Sequence, residues 1–435
     1  MDDNRRTWLR LTLLGLVSGL LAGGVVLAFR SAVELGQMFL LPDGRSGNYE
    51  GLVRWQRIAL PVTAGLLLGV LFDWLPRSRR EVGVTHVLKR VQAPGHERLP
   101  AANMLVQFVG AVVAIVGGHS VDREGPAVHI GAASASFVGQ RLHLTAEEDI
   151  TLAACGAAAA IAAAFDTPLA GVVFAIEVLR IRYQVSRFLP VIVAAVVGAM
   201  VNRLLSLSEP GFAVIPEYLG SNWELSALIL LGAVTGLLAV AFISLTAGIA
   251  SQTIRLRSSL AFPVAGLLTG LLAQWRPEVM GTSYDTLDLL LQGQGDLLLA
   301  LSLVIAKLAA TGCCIGLRVP GGLIGPTLFI GGAAGSSVGL ALAQLTFYDT
   351  ASPGFYATIG MLAMMGATLR APLAALTALL ELTANPNIIL PGMIAVASAE
   401  LVTRLARGQK SVFDVLLDIQ ARAARVDQSP AARKP

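Results

Sequence analysis

The chain has 435 residues, 55% of them apolar and 14% charged, with a net charge of +4. Its mean hydropathy of +0.70 would leave a water-soluble globule with large exposed apolar surfaces, which excludes an ordinary soluble fold and indicates an integral membrane protein. The basic residues flank apolar runs and form no patch, which argues against a nucleic-acid partner.

Residues 1–7 read as a polar tail, and the apolar run 8–29 that follows is too long for a signal-peptide core, so a retained helix is expected there. Further apolar runs at 53–75, 101–118 and 188–205 approach the roughly 20 residues that a spanning helix needs and complete a first half, 8–205. A connector with Pro, Gly and Ser, 206–222, leads to a second half, 223–408, with runs at 224–250, 295–312 and 388–405. The charged end, 409–435, predicts one helix from Val412 to Arg425. Shorter or broken runs lie at 126–140, 150–164, 326–346 and 371–382; at membrane depth these need cover from protein or a water-filled cavity, and in repeat-built transporters they bind substrate. Arg5, Arg6 and Arg10 at one end, Arg404, Arg407 and Lys410 at the other, and the Arg77–Arg80 loop place both termini in the cytoplasm by the positive-inside rule.

Local signals agree with this division. Thr145 and Glu148 form a capping-box pattern, and Asp166 before Pro168 reads as a helix cap. The cysteines 155, 313 and 314 show no disulfide framework or metal spacing and read as small buried residues, with no metal or cofactor expected.

Two segments repeat each other. Glu124-Gly125-Pro126 through Ile130-Gly131 is echoed by Ile324-Gly325-Pro326 through Ile330-Gly331, and Gly156, Pro168, Leu169, Ala170 and Glu177 by Gly360, Pro372, Leu373, Ala374 and Glu381. With an odd number of spans per half, the halves are inverted and the two Gly-Pro helix starts converge. Helix starts carry free N–H groups and partial positive charge, so two of them aimed at one point make an anion site. A carboxylate at such a start, Glu124, is a built-in competitor for the anion, and neutralising it frees the site.

These residues resemble a known family. Arg123-Glu124-Gly125-Pro126, Gly322-Leu323-Ile324-Gly325-Pro326, Pro168-Leu169-Ala170-Gly171, and Glu381-Leu382-Thr383 with Ile389-Leu390-Pro391 are similar to signatures of the CLC family of chloride channels and chloride/proton antiporters. The resemblance implies an all-α polytopic membrane protein of inverted repeats with broken and short helices, of the prokaryotic type without CBS domains. It further implies a homodimer in the cell inner membrane, with chloride or another halide as substrate, protons as the second species, and no cofactor. Glu124 is then the gate and part of the proton path, while the anion contacts are Arg123, the amides around Gly125 and those of Leu323 and Ile324. Val82 stands where the family has a serine and Phe413 where it has a tyrosine, so two hydroxyl donors are missing and a weak, hydrated central site is expected. Asp122 stands in the place of a glycine. Val178 follows Glu177 where some relatives carry a second, proton-handling acid, which leaves coupled exchange, a passive channel and a fluoride/proton antiporter as alternatives.

Other polar residues have plainer readings. Glu177 and Glu381 are read as satisfying backbone groups or pairing with Arg180, and His129 as a packing or hydrogen-bonding residue with a proton relay as the alternative. His86 is assigned either to an exposed loop or to the inner vestibule, and Arg318 either draws anions to a mouth or snorkels. The histidines lack HExxH spacing and no GxSxG or phosphate loop occurs, so an enzyme is not expected.

Overall fold

The computed structural model describes residues 2–93, 98–181, 185–205, 212, 219–221, 223–345 and 350–428. Most of the 206–222 connector and residues 429–435 of the charged end lie outside this set. Among the described residues all regular elements are helical, and the one extended pairing is a single antiparallel bridge between Asp122 and Gly322.

The first half comprises α1 (Asp2–Leu40), α2 (Arg54–Trp74), α3 (Gly83–Val91), α4 (Ala101–Val116), α5 (Glu124–Arg141), α6 (Ala146–Phe165), α7 (Pro168–Glu177) and α8 (Val185–Leu205). The second repeats the order as α9 (Glu224–Thr253), α10 (Ser258–Leu272), α11 (Tyr284–Leu291), α12 (Leu297–Gly316), α13 (Ile324–Leu345), α14 (Pro353–Leu369), α15 (Pro372–Thr383) and α16 (Ile389–Arg407). A last helix, α17 (Val412–Gln428), packs on α3 and α9. Among the described residues, eight helical stretches are long and apolar enough to cross a membrane, while α3, α7, α11 and α15 are short. Residues 2–7 continue the first helix.

The caps expected from sequence form. Thr145 Oγ1 accepts from Glu148 N and Glu148 Oε2 from Thr145 N; two caps that the sequence reading did not name also form, Asp296 Oδ1 accepting from Leu299 N at α12 and Ser352 Oγ from Phe355 N at α14. Asp166 ends α6 in the left-handed region (φ 58°) and pairs with Arg203 at 2.7 Å. By contrast α7 and α15 start on Pro168 and Pro372 without a cap of their own. Each is capped from the other half: Glu381 accepts from Leu169 N and Ala170 N, both at 2.8 Å, and Glu177 from Leu373 N and Ala374 N at 3.2 and 2.8 Å. This reciprocal exchange ties the two repeats together through charge-assisted hydrogen bonds. Arg180 pairs with Asp414 instead.

Small residues let the halves interdigitate. A side chain begun at Gly65 or Gly69 of α2 would lie 2.6 or 2.4 Å from backbone of α10, and one at Gly266 or Gly270 of α10 would lie 2.2 or 2.6 Å from backbone of α2. The spacing is the same small-xxx-small pattern on both helices, the arrangement by which membrane helices approach closely. Gly131 against Gly156 and Gly331 against Gly360 make equivalent contacts within each half, which fixes α5 on α6 and α13 on α14.

Candidate functional site

The Asp122–Gly322 bridge joins the two signature loops: Asp122 N donates to Gly322 O at 3.1 Å and Gly322 N to Asp122 O at 3.3 Å. It brings the starts of α5 and α13 together, so closely that a side chain on Gly125 would begin 2.6 Å from the Cα of Gly322. Glu124, Gly125, Leu323 and Ile324 are all buried there.

Glu124 is fully buried. Its Oε1 accepts from Arg123 Nε at 3.3 Å, and its Oε2 has no hydrogen-bond partner among the described residues. A buried carboxylate with an open oxygen has lost its hydration without a full set of partners in return, which marks it as a functional group. Arg123 also reaches Glu34 at 3.4 Å and stacks over the Tyr284 ring at 5.3 Å. With Arg30 and Asn202 it lines a cavity beside α1.

The carboxylate seated on the convergent amides is that of Asp122. It is fully buried and accepts from Gly125 N at 3.0 Å, on the first half, and from Gly325 N at 2.5 Å, on the second. Two helix starts therefore share one carboxyl group supplied by the chain. The amides of Gly125 and Gly325 are thus already occupied by Asp122. The sequence showed Asp122 as a departure, but only the bridge reveals the partner 203 residues away.

Val82 caps α3 in extended conformation without a side-chain hydrogen bond, and Phe413 is buried at the start of α17, which packs on α3. Phe413 belongs to the main apolar core and the partly buried Val82 packs against it, and neither carries a hydroxyl. A polar group the sequence reading passed over lies next to them: Gln107 of α4 is fully buried, neither of its amide atoms has a partner among the described residues, and its Oε1 lies 4.0 Å from where a side chain on Gly83 would begin. Unsatisfied buried amides call for water or an ion as partner. Its counterpart in the second repeat, Lys307 of α12, is equally buried but satisfied, donating to Val279 O, Gly281 O and Ser283 Oγ at 3.1, 3.0 and 2.7 Å. Lys307 thus fixes the segment that presents Tyr284, whose hydroxyl is without a partner among the described residues and lies against the start of α13.

His86 is buried, which settles its two readings against an exposed loop, and it meets His129 of α5 at 2.8 Å. Arg318 donates to the backbone carbonyls of Thr253 and Leu256 and so ties α9 to the second signature loop. Cys155, Cys313 and Cys314 are free thiols. Outside the membrane spans, burial and then the Asp285 carboxylate push Glu50 up to about 7.

Comparison with known proteins agrees with this geometry. The family described as "Voltage gated chloride channel" matches residues 64–404. The chloride channel protein CLC-e of Arabidopsis thaliana is 33% identical over 424 residues, covering 88% of this chain and 58% of that relative. The voltage-gated ClC-type chloride channel ClcB of Escherichia coli is 30% identical over 405 residues, covering 91% of this chain and 96% of the relative. Among solved structures, a slow cyanobacterial Cl⁻/H⁺ antiporter superposes with a TM-score of 0.80 at 22% identity, over 96% of this chain and 99% of that one. A CLC-type fluoride/proton antiporter superposes at 0.76 with 23% identity, over 94% and 97%. The fold is shared with both. A multi-span helical membrane protein with paired Gly-Pro helix starts, matched over most of its length, this chain belongs to the voltage-gated chloride channel (CLC) family.

Proposed function

We propose that the protein exchanges chloride or a similar anion for protons across the membrane, with Glu124 as the proton-sensitive gate. The observation that carries this reading is a fully buried carboxylate at the first residue of α5, one oxygen open, beside the amides where two helix starts meet. Protonation removes its charge and its claim on an anion site, so proton binding and anion passage are linked at one residue. The names of the relatives support anion transport, and those of two structural neighbours include proton exchange. Transport, not catalysis, is the reading; an enzyme would turn over a membrane substrate without moving anions.

The finer assignments follow the same reading: a homodimer with one pathway per subunit, in the cell inner membrane, with both termini cytoplasmic. The exposed apolar residues Leu169, Leu373, Leu390 and Met393 around the α7–α15 pair suit a face buried against a second copy. A passive channel is the second reading, favoured by the buried Val178 in the place of an inner acid. Chloride efflux from liposomes holding the purified protein, followed with a chloride electrode, tests the transport reading. Efflux above that of empty liposomes is expected, and efflux equal to them would contradict it.

A further inference from the structure

α3 and α5 enclose a pair of histidines that the anion site does not use. His86 and His129 are both buried, their rings 5.1 Å apart between centroids, and His86 Nδ1 lies 2.8 Å from His129 Nε2. Arg90 Nε donates to His86 Nε2 at 3.2 Å, so that nitrogen bears no proton. The proton of His86 is then on Nδ1, which donates to His129 Nε2, and the proton of His129 is on its own Nδ1. One end of this pair is open and the other is held by Arg90. His129 Nδ1 is buried without a partner among the described residues, and at the other end Glu81 Oε2, likewise without one, lies 3.6 Å from His86 Nε2.

We propose that Glu81, His86 and His129 form a proton route from the side of the Arg77–Arg80 loop toward Glu124, in the place of the missing inner acid; this rests on the exchange reading above. Glu81 is partly exposed, with 34% of its side chain accessible, and so stands between the water outside and the histidine pair. A proton from Glu81 adds at His86 Nε2 once Arg90 swings off, the Nδ1 proton of His86 passes to His129 Nε2, and the Nδ1 proton of His129 leaves. One proton enters and one leaves, and each ring regains its first tautomer by giving its Nε2 proton to water and taking one from water at Nδ1, an exchange that moves no net charge. His129 stands five residues beyond Glu124 on the same helix, about 7.5 Å of rise, a gap that one or two waters span.

The charged neighbours are Lys89 and Arg90 on α3, which oppose a lasting charge on the pair, and Glu81, which offsets them. α17 brings Asp414 and Asp418, already held by Arg180 and Lys410. From α1, Arg30 and Glu34 face Arg123, and α4 offers the neutral Asn103, which donates to Glu81 O, and the neutral Gln107. The pair thus suits brief occupancy by a passing proton.

The test is chloride-driven proton movement in liposomes for the wild type, His86→Gln, His129→Gln and the surface variant Glu81→Gln, with chloride efflux recorded in the same preparation as the check on folding. In each histidine variant the protons moved per chloride should fall by about tenfold or more while chloride still passes, with a smaller fall for Glu81→Gln. Wild-type coupling that survives in both histidine variants overturns the route and leaves the exchange reading intact. If the histidine variants move no chloride, Glu81→Gln decides alone, and unchanged coupling in it overturns the route. A wild type that moves chloride with no protons overturns the exchange reading, and the route with it.

Discussion

The starts of α5 and α13 hold equivalent places in the two halves, yet one carries Asp122, Arg123 and Glu124 and the other Gly322, Leu323 and Ile324. The fold supplies amides from both sides, and charge from only one. The same asymmetry recurs a layer away, where Lys307 is fully satisfied and its counterpart Gln107 is left open. Structural duties are thus shared evenly between the repeats, as the reciprocal caps of Glu177 and Glu381 show, while the groups free to respond to protons and anions gather in the first half.

The sharpest way to break this comparison is Glu124→Gln, which removes the titratable gate and keeps its shape. Chloride-driven proton movement should vanish while chloride still passes, and unchanged proton movement would remove Glu124 from its role. Next comes Asp122→Gly, which makes the first half like the second. With two buried amides opened, the variant should lose about 2–4 kcal/mol of stability in chloride-free buffer and regain it as chloride is added and takes those amides. Thermal melts across a chloride titration check this, and a chloride response like that of the wild type would show that Asp122 does not compete with the ion.

Restoring the absent hydroxyls sharpens the comparison from the other side. Val82→Ser with Phe413→Tyr should tighten chloride binding, each hydroxyl adding up to about 1.5–3 kcal/mol, as read by calorimetry. A smaller effect concerns pH. Glu50, raised from 4.5 to about 7, keeps its proton in the folded chain where the unfolded chain has lost it. The contribution of Glu50 to stability is therefore fully present below about 4.5 and is lost as the pH rises through about 7, and Glu50→Gln should remove that part of the pH dependence, about 3 kcal/mol by pH 8, in melts run from pH 4 to 8. Smallest of all, Glu177→Gln and Glu381→Gln should each cost about 1–2 kcal/mol, because each weakens one of two matched caps. Clearly unequal losses in melting would show that the two caps are not equivalent.

Much of this was legible in the chain. The Gly-Pro repeats, the spacing shared by Glu177 and Glu381, and the capping box at Thr145 are local or periodic signals, and the helices formed on them. What the sequence did not show were pairings set by tertiary approach. Glu177 and Glu381 promised to satisfy backbone groups, but that each serves the other half depends on α7 packing against α15. Asp122 stood out only as a missing glycine, and its second amide lies across the Asp122–Gly322 bridge. His86 and His129 are 43 residues apart, on helices whose packing no local pattern fixes. Lys307 left one signal, a lone lysine in an apolar run at the same repeat position as Gln107.

The most direct test of the central claim is a chloride gradient imposed on liposomes holding the wild-type protein, with a pH dye inside. Exchange gated by Glu124 requires protons to move uphill as chloride runs down its gradient. Chloride flux with no change in the internal pH would contradict coupled exchange and make the protein a passive channel.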